Sequence, residues 1–520
     1  MPKLSILGRA ALQAEHGANL YRLLSEEGLL DGPCGGGGRC GKCGIRFLSA
    51  VEALPEEEEF FSPDELEQGW RLACLHSLTE DQSIALPGSG KSTVLDQGLW
   101  KSVQPDAASG YGIAVDIGTT TLAACLLDLK SGQRLTSATC LNSQKAFGQD
   151  VITRIDYAAT QDGGLERMQE AVREDIRQLC REICSQAGIE SSQVQAMSIA
   201  ANTVMTHIFG GKDPSSLAAF PFAPAFTGPL ICSGEELGFS LAPGAEVYCL
   251  PAISAYVGGD ITAGLLVSGI RELPGCSLFL DIGTNGEMAL CRDGELLSCS
   301  CAAGPALEGM DIRCGMRAAE GAIEDVRLSE AAAEAHWQLQ VIGGGSPRGL
   351  CGSGLLALVA EAVQHGIIGK NGRFQDHPLV EVEEGRKRCR VDALQGIYLT
   401  QRDVRQVQLA KGAILAGVNI LLREADIQSE QVDRVLVAGQ FGAHLSSRSL
   451  VGAGLLPAAL QEKIEYVGNT ALSGAGLCLL SRAERQKAEQ LSAHVRYLEL
   501  SVWPNYEQEL MSAMRFSCGE

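Results

Sequence analysis

The sequence has no uncharged apolar run approaching the ~20 residues that a membrane-spanning helix needs, so no helical membrane span is expected. Its first residues, Met1-Pro-Lys-Leu-Ser-Ile-Leu-Gly8, lack the basic start and apolar stretch of a secretory leader. A cytoplasmic location is expected. Positive charge is scarce, with Lys+Arg 42 against Asp+Glu 63 and a net charge of −21. Such a surface repels phosphate backbones and anionic lipid, which removes nucleic acid and membrane from the expected partners. Cysteine is plentiful, at 19 residues in 520. In a reducing compartment these are not a disulfide set. Some are expected to bind metal and most to serve as small buried apolar residues; many free thiols also suit an anaerobic host.

A chain of 520 residues is too long for one core and implies roughly two to four domains. Residues 1–87 read as a small separate unit. They hold a strand at Leu4, a helix from about Ala18 to Glu27 with Leu20, Leu23 and Leu24 on one face, and a glycine-rich loop at 34–44. An acidic stretch, Pro55-Glu-Glu-Glu-Glu59, precedes Leu72-Ala-Cys74-Leu75, and a last strand begins at Ser83. Residues 88–110 are rich in Gly, Ser, Pro, Asp and Gln and read as a flexible linker. Ala85–Ser92 within this region falls one glycine short of a P-loop. It leads into further linker rather than a helix, so plain linker is the expected reading.

The cysteine spacing in the first unit is Cys34-x5-Cys40-x2-Cys43, with a fourth cysteine at Cys74. Three thiolates on one loop can wrap an iron–sulfur cluster if a fourth returns from outside it. Glycines at 35–38, 41 and 44 let backbone N–H groups approach the sulfurs. This arrangement looks like the [2Fe–2S] ferredoxin fold, although the gap of five departs from the plant-type gap of four. Zinc sites favour paired C-x2-4-C knuckles instead. The other cysteines are expected to be structural.

The remaining residues contain a repeat. Gly112-Ile-Ala-Val-Asp116-Ile-Gly118-Thr119-Thr120-Thr121 opens a strand–turn–strand, and Leu278-Phe-Leu-Asp281-Ile-Gly283-Thr284-Asn285-Gly286 opens a second. Two matched meanders imply two similar α/β lobes facing a cleft, at about 111–275 and 276–520. Helical patterns at 165–184 and 410–425 are expected to cover their sheets. The glycine in each turn permits close approach of a phosphate, the N–H and hydroxyl groups of 119–121 donate to it, and an aspartate at each strand end can hold Mg²⁺ through water. A buried strand from Arg434 ends in Gly439-Gln440-Phe441-Gly442, a turn that could lie against adenosine. In this order the pieces resemble the phosphate-1, phosphate-2, adenosine and connecting motifs of the actin/hexokinase/Hsp70 superfamily. Val257–Gly264 falls at the first connecting segment. Asp260 is then a candidate for orienting the attacking water, with capping of the following helix as the alternative.

The whole chain therefore reads as an α+β ferredoxin-like [2Fe–2S] domain followed by a two-lobed α/β, actin-like (RNase H-like) ATPase at 111–520. In that order, with Asp281-Ile-Gly-Thr-Asn-Gly-Glu287, it resembles the reductive activators of corrinoid proteins. The resemblance implies return of a Co(II) corrinoid to Co(I), using one electron from the cluster and ATP hydrolysis. It implies as partners a corrinoid protein of a methyltransferase or O-demethylase system and an upstream low-potential electron donor; a homodimer is compatible with the sequence. Some members carry an extra middle domain, and because Asp116 follows the linker almost at once its absence is expected here. An activator of a radical dehydratase or aryl-CoA reductase would share the ATPase fold but not the N-terminal module. A redox-sensing small-molecule kinase would need a substrate pocket that the sequence does not display.

Overall fold

The structure, a computed structural model, describes residues 2–6, 11–26, 29–30, 36, 38, 43–61, 63–86, 99–329, 335–383, 385–439 and 445–516. Cys34, Cys40, Gln440, Phe441 and Gly442 lie outside these residues, as does the P-loop-like segment beyond Leu86.

Alternating burial of Leu4, Ile6, Ile45, Phe47 and Ile84 drives the first module into a five-stranded mixed sheet. Its order is Leu12–Gln13, Lys3–Ile6, Gln82–Ala85, Gly44–Phe47, Trp70–Leu72. Lys3–Ile6 runs parallel to Gln82–Ala85, so the module begins and ends on adjacent strands. The expected helix is Leu20–Glu26, whose Leu20, Tyr21 and Leu24 join the same core.

From Tyr111 onward two sheets share one topology. In the first, the meander Tyr111–Ile117, Thr121–Asp128, Arg134–Leu141 is extended by Val194–Ala201 and Glu246–Cys249. In the second, Cys276–Ile282, Gly286–Arg292, Glu295–Cys301 is extended by Arg434–Ala438 and Ile464–Gly468. The added strands run parallel to the first strand of each meander, which is buried on both faces and reads as an apolar run. Helices of 24 residues, Gly164–Ala187 and Gln401–Glu424, cover the two meanders. The repeat of sequence is thus a repeat of fold.

Two crossing helices interlock the lobes. Thr470–Leu480 follows the edge strand Ile464–Gly468 of the C-terminal sheet, yet its Ala471 and Ala475 are buried with Ala114, Cys125 and Ala200 of the N-terminal sheet. Gly259–Ser268 leaves the N-terminal sheet and buries Ile261 and Leu265 with Phe279 and Ala289 of the other. Where the two helices meet, a Cβ on Gly474 would stand 2.4 Å from the Ala263 carbonyl oxygen, so only glycine permits the approach.

The second half of the expected flexible linker is corrected. Residues 99–110 are bound to the ATPase: Leu99 N–H donates to the Val467 carbonyl at 2.9 Å and Asp106 N–H to Leu480 at 3.0 Å. Trp100, Val103 and Ala107 pack against the cluster around the crossing helix Thr470–Leu480. The Trp100 ring lies over Gly476, where a Cβ would stand 2.6 Å from its Cζ3, so this seat exists only in the folded lobe. Polar composition therefore hid an aromatic anchor. The Arg348 guanidinium lies 5.1 Å from the Trp70 ring centroid and joins the first module to the C-terminal lobe. No described helix is long and apolar enough to cross a membrane.

Candidate functional site

The phosphate-1 turn is drawn inward by its carbonyl groups. The Gly118 carbonyl accepts from Asn142 Nδ2 at 2.8 Å, that of Thr119 from Arg154 Nη2 at 2.6 Å, and that of Thr120 from Asn142 N–H at 3.0 Å. Asn142 and Arg154 are buried, so the negative ends of three peptide dipoles point away from the cleft. A Cβ on Gly118 would lie 2.6 Å from the Thr121 carbonyl oxygen, which explains the glycine. Arg154 is fully buried and bonded to neutral acceptors; desolvation lowers its pKa to about 10. Its positive charge behind the turn favours an anion in front of it. Asn202 caps the helix Thr203–Phe209 and donates Nδ2 to Thr119 Oγ1 at 3.2 Å.

The phosphate-2 turn closes through Gly283 N–H to the Asn285 carbonyl at 3.0 Å, and Thr284 donates its hydroxyl to Glu308 at 2.6 Å. Asp116, Asp260 and Asp281 come together at the cleft with Glu287, which is the last residue of the quoted motif. Burial, with repulsion from Asp260, raises Asp116 and Asp281 to about 7, and at Asp116 the Asn469 side-chain hydrogen bond opposes the rise. Burial likewise raises Asp260 to about 6, although backbone N–H groups oppose it. Glu287 is pushed well up by burial and by the charges of Asp260 and Asp281. Clustered acids without a cation among these influences fit a divalent metal, which would return them to the ionised form. Among the described residues no three His, Cys, Asp or Glu side chains could ligate a metal by themselves. Mg²⁺ would therefore be held by Asp116 and Asp281 through water and by the nucleotide phosphates.

Asp260 lies in the first turn of its helix and accepts the Ile261 N–H at 2.8 Å. Gly439 has φ +92°, and a Cβ there would meet Asp281 Oδ1 at 2.7 Å, so this turn lies beside the phosphate-2 strand. Sequence reasoning missed Arg154 and Glu308, and placed Asn469 only within a small-residue hinge segment at 467–475 without its bond to Asp116. Asn469 carried a signal, an Asn immediately before a small-residue helix.

In the first module Cys43 and Cys74 are buried with their Sγ atoms 3.1 Å apart. Ala73 N–H donates to the Cys43 carbonyl and Asn19 Nδ2 to that of Cys74, which fixes the two segments together. Glu57, one of four glutamates in the acidic stretch, is fully buried and accepts from Leu72 N–H at 2.6 Å and from Leu54 N–H at 2.9 Å. Its Oε1 also lies 2.9 Å from His76 Nε2, so this carboxylate braces both sides of Cys74. Paired buried thiols in a ferredoxin sheet fit two ligands of a [2Fe–2S] cluster.

Fold and site together define an actin-like ATPase that carries a ferredoxin module. Residues 275–519 match the C-terminal domain of RACo, the ASKHA domain; residues 111–273 match the RACo middle region; residues 6–79 match the 2Fe-2S iron-sulfur cluster binding domain. The corrinoid activation enzyme RamQ of Eubacterium limosum is 33% identical over 422 residues, covering 78% of this chain and 70% of that protein. The [Co(II) methylated amine-specific corrinoid protein] reductase of Methanosarcina barkeri is 27% identical over 404 residues, covering 72% and 70%. A solved reductive activator for corrinoid, iron-sulfur protein is similar in fold at TM-score 0.70 and 30% identity, covering 99% of this chain and 98% of that one. The chain belongs to the RACo family, the reductive activators of corrinoid proteins. The expected absence of a middle domain is corrected: the N-terminal lobe is itself the family's middle region. Its meander mirrors the other lobe so closely that it read only as half of an ATPase.

Proposed function

We propose that this chain is an ATP-dependent iron–sulfur reductase that returns the Co(II) of a partner corrinoid protein to Co(I) in a methyl-transfer system. The observation that carries this is the joining, in one chain of this family, of a thiol-paired ferredoxin module and a two-lobed cleft lined by Asp116, Asp260 and Asp281. Cys34, Cys40, Cys43 and Cys74 would hold a [2Fe–2S] cluster, which supplies the single electron when bound. Gly118–Thr121 and Gly283–Gly286 would hold the ATP phosphates with Mg²⁺ on Asp116 and Asp281, and Gly439–Gly442 would flank the adenosine.

Co(I) is a very strong reductant, so reduction to that state needs coupling to a favourable reaction. The crossing helices supply a physical route. Drawing the two phosphate turns together must move Gly259–Ser268 and Thr470–Leu480, because each is buried against the opposite lobe. A partner bound across the lobes would feel that motion. A low-potential donor would re-reduce the cluster, with the protein acting in the cytoplasm. The test is to mix the anaerobic protein with a reductant and candidate corrinoid proteins, with and without Mg–ATP. Co(I) absorbance that depends on ATP is expected. Co(I) at equal rate without ATP, or a phosphorylated small-molecule product, overturns the reading.

A further inference from the structure

Glu308 ends a short 3₁₀ turn, Pro305–Glu308, that is fixed on both sides. Gly304 precedes it and donates its N–H to the Thr284 carbonyl at 2.9 Å. Gly309 follows it with φ +76°, and its N–H closes on Ala306. The carboxylate is therefore delivered to one place, where Oε1 accepts from Thr284 Oγ1 at 2.6 Å and Oε2 lies 3.5 Å from Thr120 Oγ1. Thr120 belongs to the N-terminal lobe and Thr284 to the C-terminal lobe. One carboxylate thus spans both phosphate turns.

Each threonine hydroxyl has a single proton to donate, and a carboxylate and a phosphate compete for it. When phosphate oxygens take these protons, Glu308 is left beside the phosphates with vacant lone pairs. A water molecule relieves that: it donates one proton to the carboxylate and keeps a lone pair for phosphorus. Asp260 sits instead in the first turn of its helix, where its Oδ1 accepts the Ile261 N–H, and among the described residues no hydrogen bond ties it to either phosphate turn.

We propose that Glu308 is the catalytic carboxylate that orients and deprotonates the attacking water, and that it bridges the two phosphate turns when nucleotide is absent. The inference rests on the ATP reading of the cleft. In the step, the water oxygen bonds to the γ-phosphorus and the bond from that phosphorus to the β,γ-bridging oxygen breaks, its electron pair leaving with ADP. The water proton moves to Glu308 and then to the released phosphate.

The test uses the full-length, cluster-loaded protein. Glu308→Gln keeps shape and removes basicity; Glu308→Asp keeps charge and shortens reach. Binding of the imido analogue of ATP with Mg²⁺ is measured by calorimetry, and turnover by phosphate release. Glu308→Gln is expected to bind the analogue within about threefold of the parent, or more tightly, while kcat falls at least ~100-fold. Glu308→Asp should show an intermediate loss, and formate added to Glu308→Ala should recover turnover roughly tenfold or more without accelerating the parent. Intact binding with kcat within threefold in Glu308→Gln overturns the assignment and leaves the ATP reading standing. Loss of analogue binding in both Glu308→Gln and Glu308→Asp overturns it too, since Glu308 would then be a tether only. Failure of the parent protein to bind the analogue overturns the ATP reading itself.

Discussion

Asn469 donates its side-chain amide to Asp116 Oδ2 at 2.9 Å while its own carbonyl oxygen caps the following helix by accepting Leu472 N–H at 2.8 Å. The residue follows the edge strand Ile464–Gly468 of the C-terminal lobe and holds the metal-binding aspartate proposed for the N-terminal lobe. Asn469→Ala removes both bonds. Loss of the cap should cost about 1 kcal/mol of stability. Freeing Asp116 should lower ATP turnover by roughly tenfold beyond that effect, as for other supports of metal ligands. Thermal unfolding and phosphate release, measured together, separate the two; unchanged turnover would make Asn469 a cap alone.

Asp116→Asn and Asp281→Asn should each cut ATP turnover by roughly a hundredfold or more, because charge stabilisation dominates phosphoryl transfer. Near-normal turnover in both would mean that the paired meanders serve packing only.

Burial holds Asp116 and Asp281 near 7, against an ordinary 3.8. In the nucleotide-free protein these groups keep protons that the unfolded chain has released. Their contribution to stability is therefore fully present below pH about 4 and lost as pH rises through about 7. The melting temperature without nucleotide should fall between pH about 4 and 7, and less so in the Asp116→Asn, Asp281→Asn double variant. Mg–ATP requires the ionised forms, so its binding should strengthen over the same range with release of protons. Calorimetry in buffers of different ionisation enthalpy measures that release.

Replacing any one of Cys34, Cys40, Cys43 and Cys74 by Ala should bleach the visible spectrum and leave ATP hydrolysis largely intact. About two irons per chain are expected in the parent. A cluster that persists without both Cys40 and Cys43 would sink the ligand assignment.

The Trp70–Arg348 contact is worth ~0.5–1 kcal/mol, too little to hold the ferredoxin module against a competing partner. A protein lacking residues 1–90 should still hydrolyse ATP and bind the corrinoid partner, yet form no Co(I). Pull-down and cobalt absorbance read the two outcomes. Co(I) formation by that truncated protein would mean the electron bypasses the module.

The two lobes were legible in the sequence because each phosphate turn needs a buried strand, a glycine and donor threonines in order, and the order recurs at 112–121 and 278–286. The first module was legible in its cysteine loop and its short strands. Arg154 was not: in Val151-Ile-Thr-Arg154 it looks like any exposed helical arginine, and only folding drops the Gly148 and Thr119 carbonyls onto it. Glu57 stood in a run of four glutamates with nothing to mark the buried one. Glu308 follows an aperiodic Ala-Ala-Gly-Pro stretch, and its partners lie in two distant turns. Residues whose role is set by contacts between segments leave no local pattern.

Trp100 shortens the stretch of chain that separates the first module from the ATPase lobes. Were residues 88–110 all free, bond geometry would let them extend to about 80 Å, at ~3.5 Å per residue. With the chain bound to the ATPase from Leu99, only positions 87–98 separate the module from its attachment, a span of at most about 40 Å. Halving that radius shrinks the accessible volume about eightfold and raises the local concentration of the module around a docked partner by a similar factor. The aromatic ring over Gly476 thereby limits how far the first module can stand from the lobes, a property of the connection rather than of either active site.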